Sequence, residues 1–565
     1  MSGQGLDRRE FLRRLGMAAG GVAGMAVGAT ALDACDSSPQ SSVQHTTTSE
    51  PGRSTTSSTR LASRIQLDDL GLPIADWVVE ENARKGTLEW LLHPPPPMGV
   101  EGYLDHVSAA PGDEVTLFVT STASLVIPKV YRLGWYQGYG ARFVADLGKH
   151  PGVVQPEPTF TAGVNMVECH WSPTLRFEVG HDWPSGYYLI HLGTSKGFSQ
   201  WVPLVVRDDS STSAVLVQSS VTTWQAYNLW GGYSLYLGPD GTGGTDVANR
   251  SRVVSFDRPY PPGWEDGTAD LFGNEYPIVA LLERLGVDVS YWTDIDLHHR
   301  AALLAQHRCL VSLGHDEYWS STMRYSCEEA IGKGLNVAFL GANACYRHIR
   351  LDASPVGDNR RVVCYKDATE DPYLGKDNAE VTANWGEGPD PRPESSMIGV
   401  AYQAFQPYES SPESLVVVDP ESWILEGTGL AHGAEIPFTN GSEFDRYSPG
   451  PSSPTNVHIV CHSPITSVLG PSYSDMAYYT VPGGGGVFSS GTASFVDRLW
   501  ANPGVLPKPF APGPIAGVTE PLTRITTNVL AEFSKGPAAA SRPSGANWQE
   551  FYSDGSAALP PVDVP

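Results

Sequence analysis

Basic residues are scarce in this chain: 37 lysines and arginines stand against 62 aspartates and glutamates, a formal charge of −25 over 565 residues. Such a surface repels phosphate backbones, and no basic patch rises against it, so nucleic acid is not expected as a partner. Cysteine is sparse too, seven in all, and no two form a C-x-x-C pair, which argues against structural zinc or an iron–sulfur cluster. The run Gly483 to Gly486 lacks the lysine and spacing of a phosphate loop and reads as a hairpin or tight bend. Long, strongly apolar runs are missing as well. What the chain does have is 41% apolar and 10% aromatic residues, ample for two or more packed cores.

The N-terminus carries Arg8-Arg9 ahead of a weakly hydrophobic Gly/Ala-rich segment from Leu15 to Leu32. This resembles a twin-arginine export signal, with Asp7 where Ser or Thr is usual, rather than a membrane span. Leu32-Asp33-Ala34-Cys35 resembles a lipobox with an atypical Asp33. Residues 1–35 are therefore expected to be a (lipo)protein signal, with lipidated Cys35 tying an extracytoplasmic protein to the membrane. Residues 36–65, rich in Ser and Thr, read as a flexible tether. The other cysteines, Cys169, Cys309, Cys327, Cys345, Cys364 and Cys461, leave room for disulfides outside the cytoplasm without indicating a connectivity. Cys309, inside an apolar run, reads as a small buried hydrophobe.

Residues 66–208 read as closely spaced short strands. Pro111 to Ser121, Pro128 to Tyr136, Trp183 to Leu192 and Ser199 to Asp208 are rich in β-branched and aromatic residues, the pattern of a β-sandwich. Trp135, Tyr136 and Tyr139 suit docking against the next domain better than a sugar-stacking surface. From residue 209 to 535 strands alternate with helices: Ser213 to Val221, a helix over Tyr276 to Gly286, Val287 to Trp292, Arg308 to Gly314, a helix over Ser320 to Gly334, and Asn336 to Gly341. That order predicts a doubly wound, mostly parallel sheet of the glutamine-amidotransferase or flavodoxin-like kind, so the fold class is multidomain, β followed by α/β. Residues 536–565 form a Pro/Ser/Ala-rich tail, expected to be loosely held.

Ligands of open α/β sheets bind beyond the carboxyl ends of the strands. In LVSLGHDEYW an apolar strand ends at Gly314 in His315, Asp316 and Glu317. A cleft carboxylate beside an imidazole holds a metal or moves a proton. The bland alternative has Glu317 capping the following helix and His315 bonding a backbone carbonyl. The first strand leads into TWQAYNLWGGYSLY, which brings Tyr227, Tyr233 and Tyr236, and the fourth into GANACYRH, which brings Asn343, Tyr346 and His348.

Taken in order, TWQAYN, SLY, GHDEYW, FLGANACYR and GGGGVFSSGTASF resemble the motif series of the large (beta) subunit of the N,N-dimethylformamidase family, over roughly residues 210–535. The resemblance implies a hydrolase of amide-like C–N bonds that holds a mononuclear iron(III) on two tyrosinates and a glutamate. Carried over motif by motif, the ligands would be Tyr227, Tyr236, with Tyr233 close by as the alternative, and Glu317, while His315 and Asn343 flank the metal. Ala342, Ala344 and Cys345 replace a more glycine-rich, aromatic-ended loop, which implies a different pocket shape. A small partner subunit or a homo-oligomer is also implied. Iron(III) is a hard cation suited to such anionic oxygens, and His315 would serve as acid/base and Asn343 as carbonyl-orienting amide. Two other readings stay open: a surface-anchored protein binding a glycan or peptide without catalysis, and a metal-free glycosidase using Asp316 and Glu317. Neighbouring residues at a strand end point apart, which disfavours the last.

Overall fold

A computed structural model describes residues 64–92, 99–263, 267–407, 410–499 and 515–552. The export signal, Cys35 and most of the Ser/Thr-rich tether lie outside these residues. The protein is mostly β, with several sheets and 21% helix. No helix among the described residues is long and apolar enough to cross a membrane.

The first half contains two facing sheets. Glu114–Ser121 pairs with Val100–Leu104 and Leu175–Glu178. Opposite it run Ser108–Ala109, Ser199–Val206, Gly186–Thr194, Leu125–Leu133 and Ala141–Asp146. Alternate residues Val115, Leu117 and Val119 point inward and meet Tyr188, Ile190, Leu192, Val202 and Leu204 in one core, as the two-residue period of a strand requires. The other parity of the second sheet, Tyr131, Leu133, Tyr187, Leu189 and Trp201, is buried too, in the core of the second half. The middle of this sheet is therefore covered on both faces, while its edge at Phe143, 44% exposed, stays in contact with solvent. At the seam, Arg132 and Glu283, both 0% exposed, form a two-pronged ion pair of 2.6 and 3.1 Å. Tyr136 is fully buried there, donating to Glu81 (2.7 Å) and accepting from Arg132 (3.0 Å), while Tyr139 remains exposed.

The second half is built on a seven-stranded sheet in the order Val289–Thr293, Val215–Ser219, Cys309–Gly314, Asn336–Gly341, Gly486–Ser489, Gly470–Thr480, His458–Ser467. The first five run parallel, and Gly470–Thr480 runs antiparallel to both its neighbours, so His458–Ser467 has the direction of the five. Fully buried parallel strands explain the near-continuous apolar runs in the sequence. Gly483 lies in the turn of the terminal hairpin as expected, and a Cβ on Gly485 would stand 1.8 Å from the Leu335 carbonyl, so only glycine fits. The helix Tyr276–Leu285 ends on Gly286 at φ 74°, a left-handed cap. The helix Ser321–Gly332 is capped by the hydroxyl of Ser320, which accepts from the Met323 amide; Glu317 is not its cap.

Two expectations are corrected. The six cysteines are all buried free thiols, without disulfides. The start of the tail is not loose: Asn336 accepts from the Ala538 amide (3.0 Å) and donates to the Gly536 carbonyl (2.7 Å), and Asn547 bonds Ile459 on both its amide and carbonyl. Between residues 342 and 457 lie small antiparallel ribbons, among them Ala401–Phe405 with Glu443–Arg446, which the sequence reading left unassigned.

Candidate functional site

The strands Cys309–Gly314 and Asn336–Gly341 end in register at Gly314 and Gly341. A Cβ on Gly341 would lie 2.0 Å from the Gly314 carbonyl, so glycine lets the two chains leave the sheet side by side. They stay zipped beyond it: the amides of Ala342, Cys345 and Arg347 donate to the carbonyls of Gly314 (3.2 Å), Asp316 (2.8 Å) and Glu317 (2.8 Å). Asn343 and Cys345 are left-handed, at φ 58° and 51°, a conformation asparagine tolerates better than cysteine. The result sets Asn343 beside His315.

Asp316 and Glu317 face opposite ways. Asp316 accepts from Gln218 and Ser312, both at 2.9 Å, and burial pushes its pKa up to about 6. Glu317, 1% exposed, faces the loop that follows the helix Val221–Tyr227, and its amide donates to Thr223 of that helix (3.0 Å). The hydroxyl of Tyr236 lies 2.8 and 2.9 Å from the two carboxylate oxygens of Glu317. The Tyr227 hydroxyl lies 2.9 Å from Glu317 Oε2 and 2.8 Å from that of Tyr236. Their rings stack at 4.3 Å. Tyr233 does not join them; its ring packs on Phe160 of the first half, at 5.0 Å.

His315 Nε2 reaches Glu317 Oε2 (3.3 Å), Glu443 Oε2 (3.1 Å) and Asn343 Nδ2 (3.3 Å). Asn343 Nδ2 also donates to Glu443 Oε2 (2.8 Å), and its main-chain amide to Asp445 (2.8 Å). Burial alone would lower the His315 pKa, but the carboxylates of Glu443 and Glu317 outweigh it and hold it well above the usual imidazole range. Burial would raise that of Glu317, yet His315, Lys366 and Arg347 keep it well below the usual carboxylate range. Burial first, then the Glu317 charge, pushes the Tyr318 phenol far up; its hydroxyl donates to Tyr236 (2.8 Å). Tyr227, His315 and Glu443 keep some exposure, the last two side chains at 13% and 12%.

Sequence reasoning missed Glu443, Tyr318, Arg347 and Lys366. Tyr318 and Arg347 stood inside motifs already quoted, whereas Glu443 and Lys366 come from segments with no periodic signal. His348, offered with Asn343, is not in the cluster: it bonds Ser321 (2.8 Å) and stacks on Trp385. Among the described residues no three His, Cys, Asp or Glu side chains form a metal-holding group; the oxygens here come from two phenols and one carboxylate. Their spacing of 2.8–2.9 Å fits a common small, hard cation, since metal–oxygen bonds of about 2 Å give ligand edges of that order.

A strand-end cluster of phenol and carboxylate oxygens flanked by a histidine and an amide combines anionic oxygen donors with a proton carrier and a carbonyl-binding N–H, the groups that hydrolytic chemistry uses. More particularly, the family model described as N,N-dimethylformamidase beta subunit-like, C-terminal, matches residues 128–504, and the chain belongs to that family. The match begins within the strand Leu125–Leu133, so the family unit includes part of the first half as well as the seven-stranded sheet. No curated protein gives a match. Among solved structures, a cycloisomaltooligosaccharide glucanotransferase of Paenibacillus sp., complexed with cycloisomaltoheptaose, is 15% identical over 23% of this chain and 17% of its own, with a TM-score of 0.13. A likeness that slight carries no argument.

Proposed function

We propose that the protein is a metal-dependent hydrolase of small linear amides, exported and tethered through Cys35, with iron(III) held by Tyr227, Tyr236 and Glu317. The observation that carries the reading is the meeting of those three oxygen donors beside the hydrogen-bonded His315–Asn343–Glu443 group. Bound there, iron(III) would polarise the amide carbonyl and acidify a water. The parallel run of five strands supports reading the second half as doubly wound, with the site at its carboxyl edge. A partner subunit or self-association belongs to the same reading.

The chain's own residues divide the work. His315, partly exposed and oriented by Glu443, would take the proton from the attacking water once a bound cation offsets the Glu317 charge that helps hold the imidazole protonated in the metal-free site, and return it to the departing nitrogen. Asn343 is anchored on Glu443 through its Nδ2, which also lies 3.3 Å from His315 Nε2, and an N–H of that amide would steady the substrate's carbonyl oxygen as charge develops. The C–N bond breaks, releasing a carboxylate and an amine. Elemental analysis of the purified protein and assay of formate release from N,N-dimethylformamide and formamide test the reading. A protein without stoichiometric metal after iron-replete expression, and inert on linear amides, would refute it.

A further inference from the structure

Arg347 is 3% exposed, and its guanidinium approaches Glu317 at Oε1, whereas His315 approaches it at Oε2. The parallel pairing of Tyr318–Ser320 with Arg347–Asp352 puts Arg347 opposite Tyr318. From there it holds Glu317 twice: its amide donates to the Glu317 carbonyl (2.8 Å), and its Nε stands 3.4 Å from Oε1. The guanidinium is in turn fixed. Its Nη1 donates to Asn384 Oδ1, its carbon sits 4.8 Å from the Tyr346 ring centre, and a β-bridge ties the two backbones. Asn384 is itself held, donating to Tyr346 (2.9 Å) and Glu387 (2.6 Å).

A buried guanidinium is expensive unless its geometry is used, and here it makes the two oxygens of Glu317 unequal. The Tyr236 hydroxyl meets both oxygens, at 2.8 and 2.9 Å, but only Oε1 faces the cation and only Oε2 meets Tyr227 (2.9 Å) and His315 (3.3 Å). We propose that Arg347, braced by Asn384, is a positioning residue that fixes Glu317 as a ligand with Oε2 presented to the metal, and that weakens the donation of that carboxylate. The inference rests on the metal reading above. A carboxylate pinned at one oxygen loses its freedom to rotate before metal arrives. A neighbouring cation draws its electron density, leaving the metal the stronger Lewis acid. Outer partners that orient a ligand in this way typically alter metal affinity about 10–100-fold.

Titrating iron(III) citrate into metal-free protein, with bound iron and the tyrosinate-to-iron visible band as the two readings, tests this. Wild type should bind iron. Arg347→Met should bind it about 10–100-fold more weakly and shift the band to shorter wavelength, because a more strongly donating carboxylate makes iron a poorer electron acceptor. Arg347→Lys, which keeps charge without the fork, should recover the band position but only part of the affinity. If Arg347→Met fails to fold, Asn384→Ala decides by affinity, falling in the same direction with the band nearly in place. Unchanged affinity and band in a folded Arg347→Met overturn the inference while leaving the metal site standing. A wild type that takes up no iron overturns the proposed function and the inference with it.

Discussion

Replacing Tyr236 with phenylalanine keeps the ring, its stacking on Tyr227 at 4.3 Å and its burial at 1% exposure, and deletes only the hydroxyl. That hydroxyl meets both oxygens of Glu317 and the hydroxyls of Tyr227 and Tyr318, all at 2.8–2.9 Å. A hydrogen bond to a charged acceptor contributes about 1.5–3 kcal/mol, and a buried hydroxyl deprived of its acceptor, here that of Tyr318, costs about 1–3 kcal/mol. The metal-free variant should thus be about 2.5–6 kcal/mol less stable in urea unfolding, yet still folded by circular dichroism. Loss of an anionic donor should strip most of the iron and bleach or shift the visible band. Tyr227→Phe should do the same to the metal with a smaller loss of stability, because Tyr227 is half-buried and makes one bond to Glu317. Tyr233→Phe is the control, since its ring packs on Phe160. Colour retained in Tyr236→Phe but lost in Tyr233→Phe would move the ligand assignment to Tyr233. Iron and colour retained in both Tyr227→Phe and Tyr236→Phe would remove both phenols from the site.

Glu317→Ala should abolish metal and activity together, whereas His315→Gln and Asn343→Ala should keep iron and lower kcat by about 10²-fold or more; normal turnover would remove them from the mechanism. Glu443→Gln should lower kcat while preserving iron, and an unchanged pH–rate profile would deny Glu443 its role in orienting His315. Arg132→Met leaves Glu283 charged and buried at the seam and should destabilise the protein by about 3–5 kcal/mol, read by denaturant unfolding; a loss under 1 kcal/mol would mean that the pair is not the clasp it resembles. Burial pushes the Glu275 pKa up to about 8 from the usual 4.5. The folded state therefore binds the extra proton, and the stability this supplies below pH 4.5 is lost as pH rises to about 8. Glu275→Gln should flatten that decline, and an unchanged slope would refute it. Replacing Arg8 and Arg9 with lysine should trap precursor in the cytoplasm, and Cys35→Ala should release the protein from membranes; unaltered fractionation in both would refute the targeting.

The parallel strands were legible because burial on both faces writes continuous apolar runs, and the turn at Gly314 because charge follows such a run at once. The pairing of His315 with Asn343 followed from two strand ends lying side by side. Glu443 was not legible: it reaches Asn343 across 100 residues of chain, from a short ribbon with an irregular register, and nothing periodic surrounds it. The order of strands also hid the antiparallel edge, since a strand's direction leaves no mark on its composition. The double burial of the first half's second sheet was visible only as unusual aromatic density, which a sandwich core explains equally well. The asymmetry between Asp316 and Glu317 was anticipated from strand geometry, whereas the choice of Glu317 as the one that faces the tyrosines came from the family resemblance and not from the pleat.

The sheet whose middle is covered on both faces has a consequence for biosynthesis. Tyr131, Tyr187, Leu189 and Trp201 find their cover in residues such as Phe272, Tyr276 and Val217, all translated later. Until those emerge from the ribosome, the nascent first half displays a broad aromatic surface to the cytosol. The chain is thus sticky for the middle of its own synthesis, and a holdase that shields this face should raise the yield of soluble protein more than one acting on the finished chain.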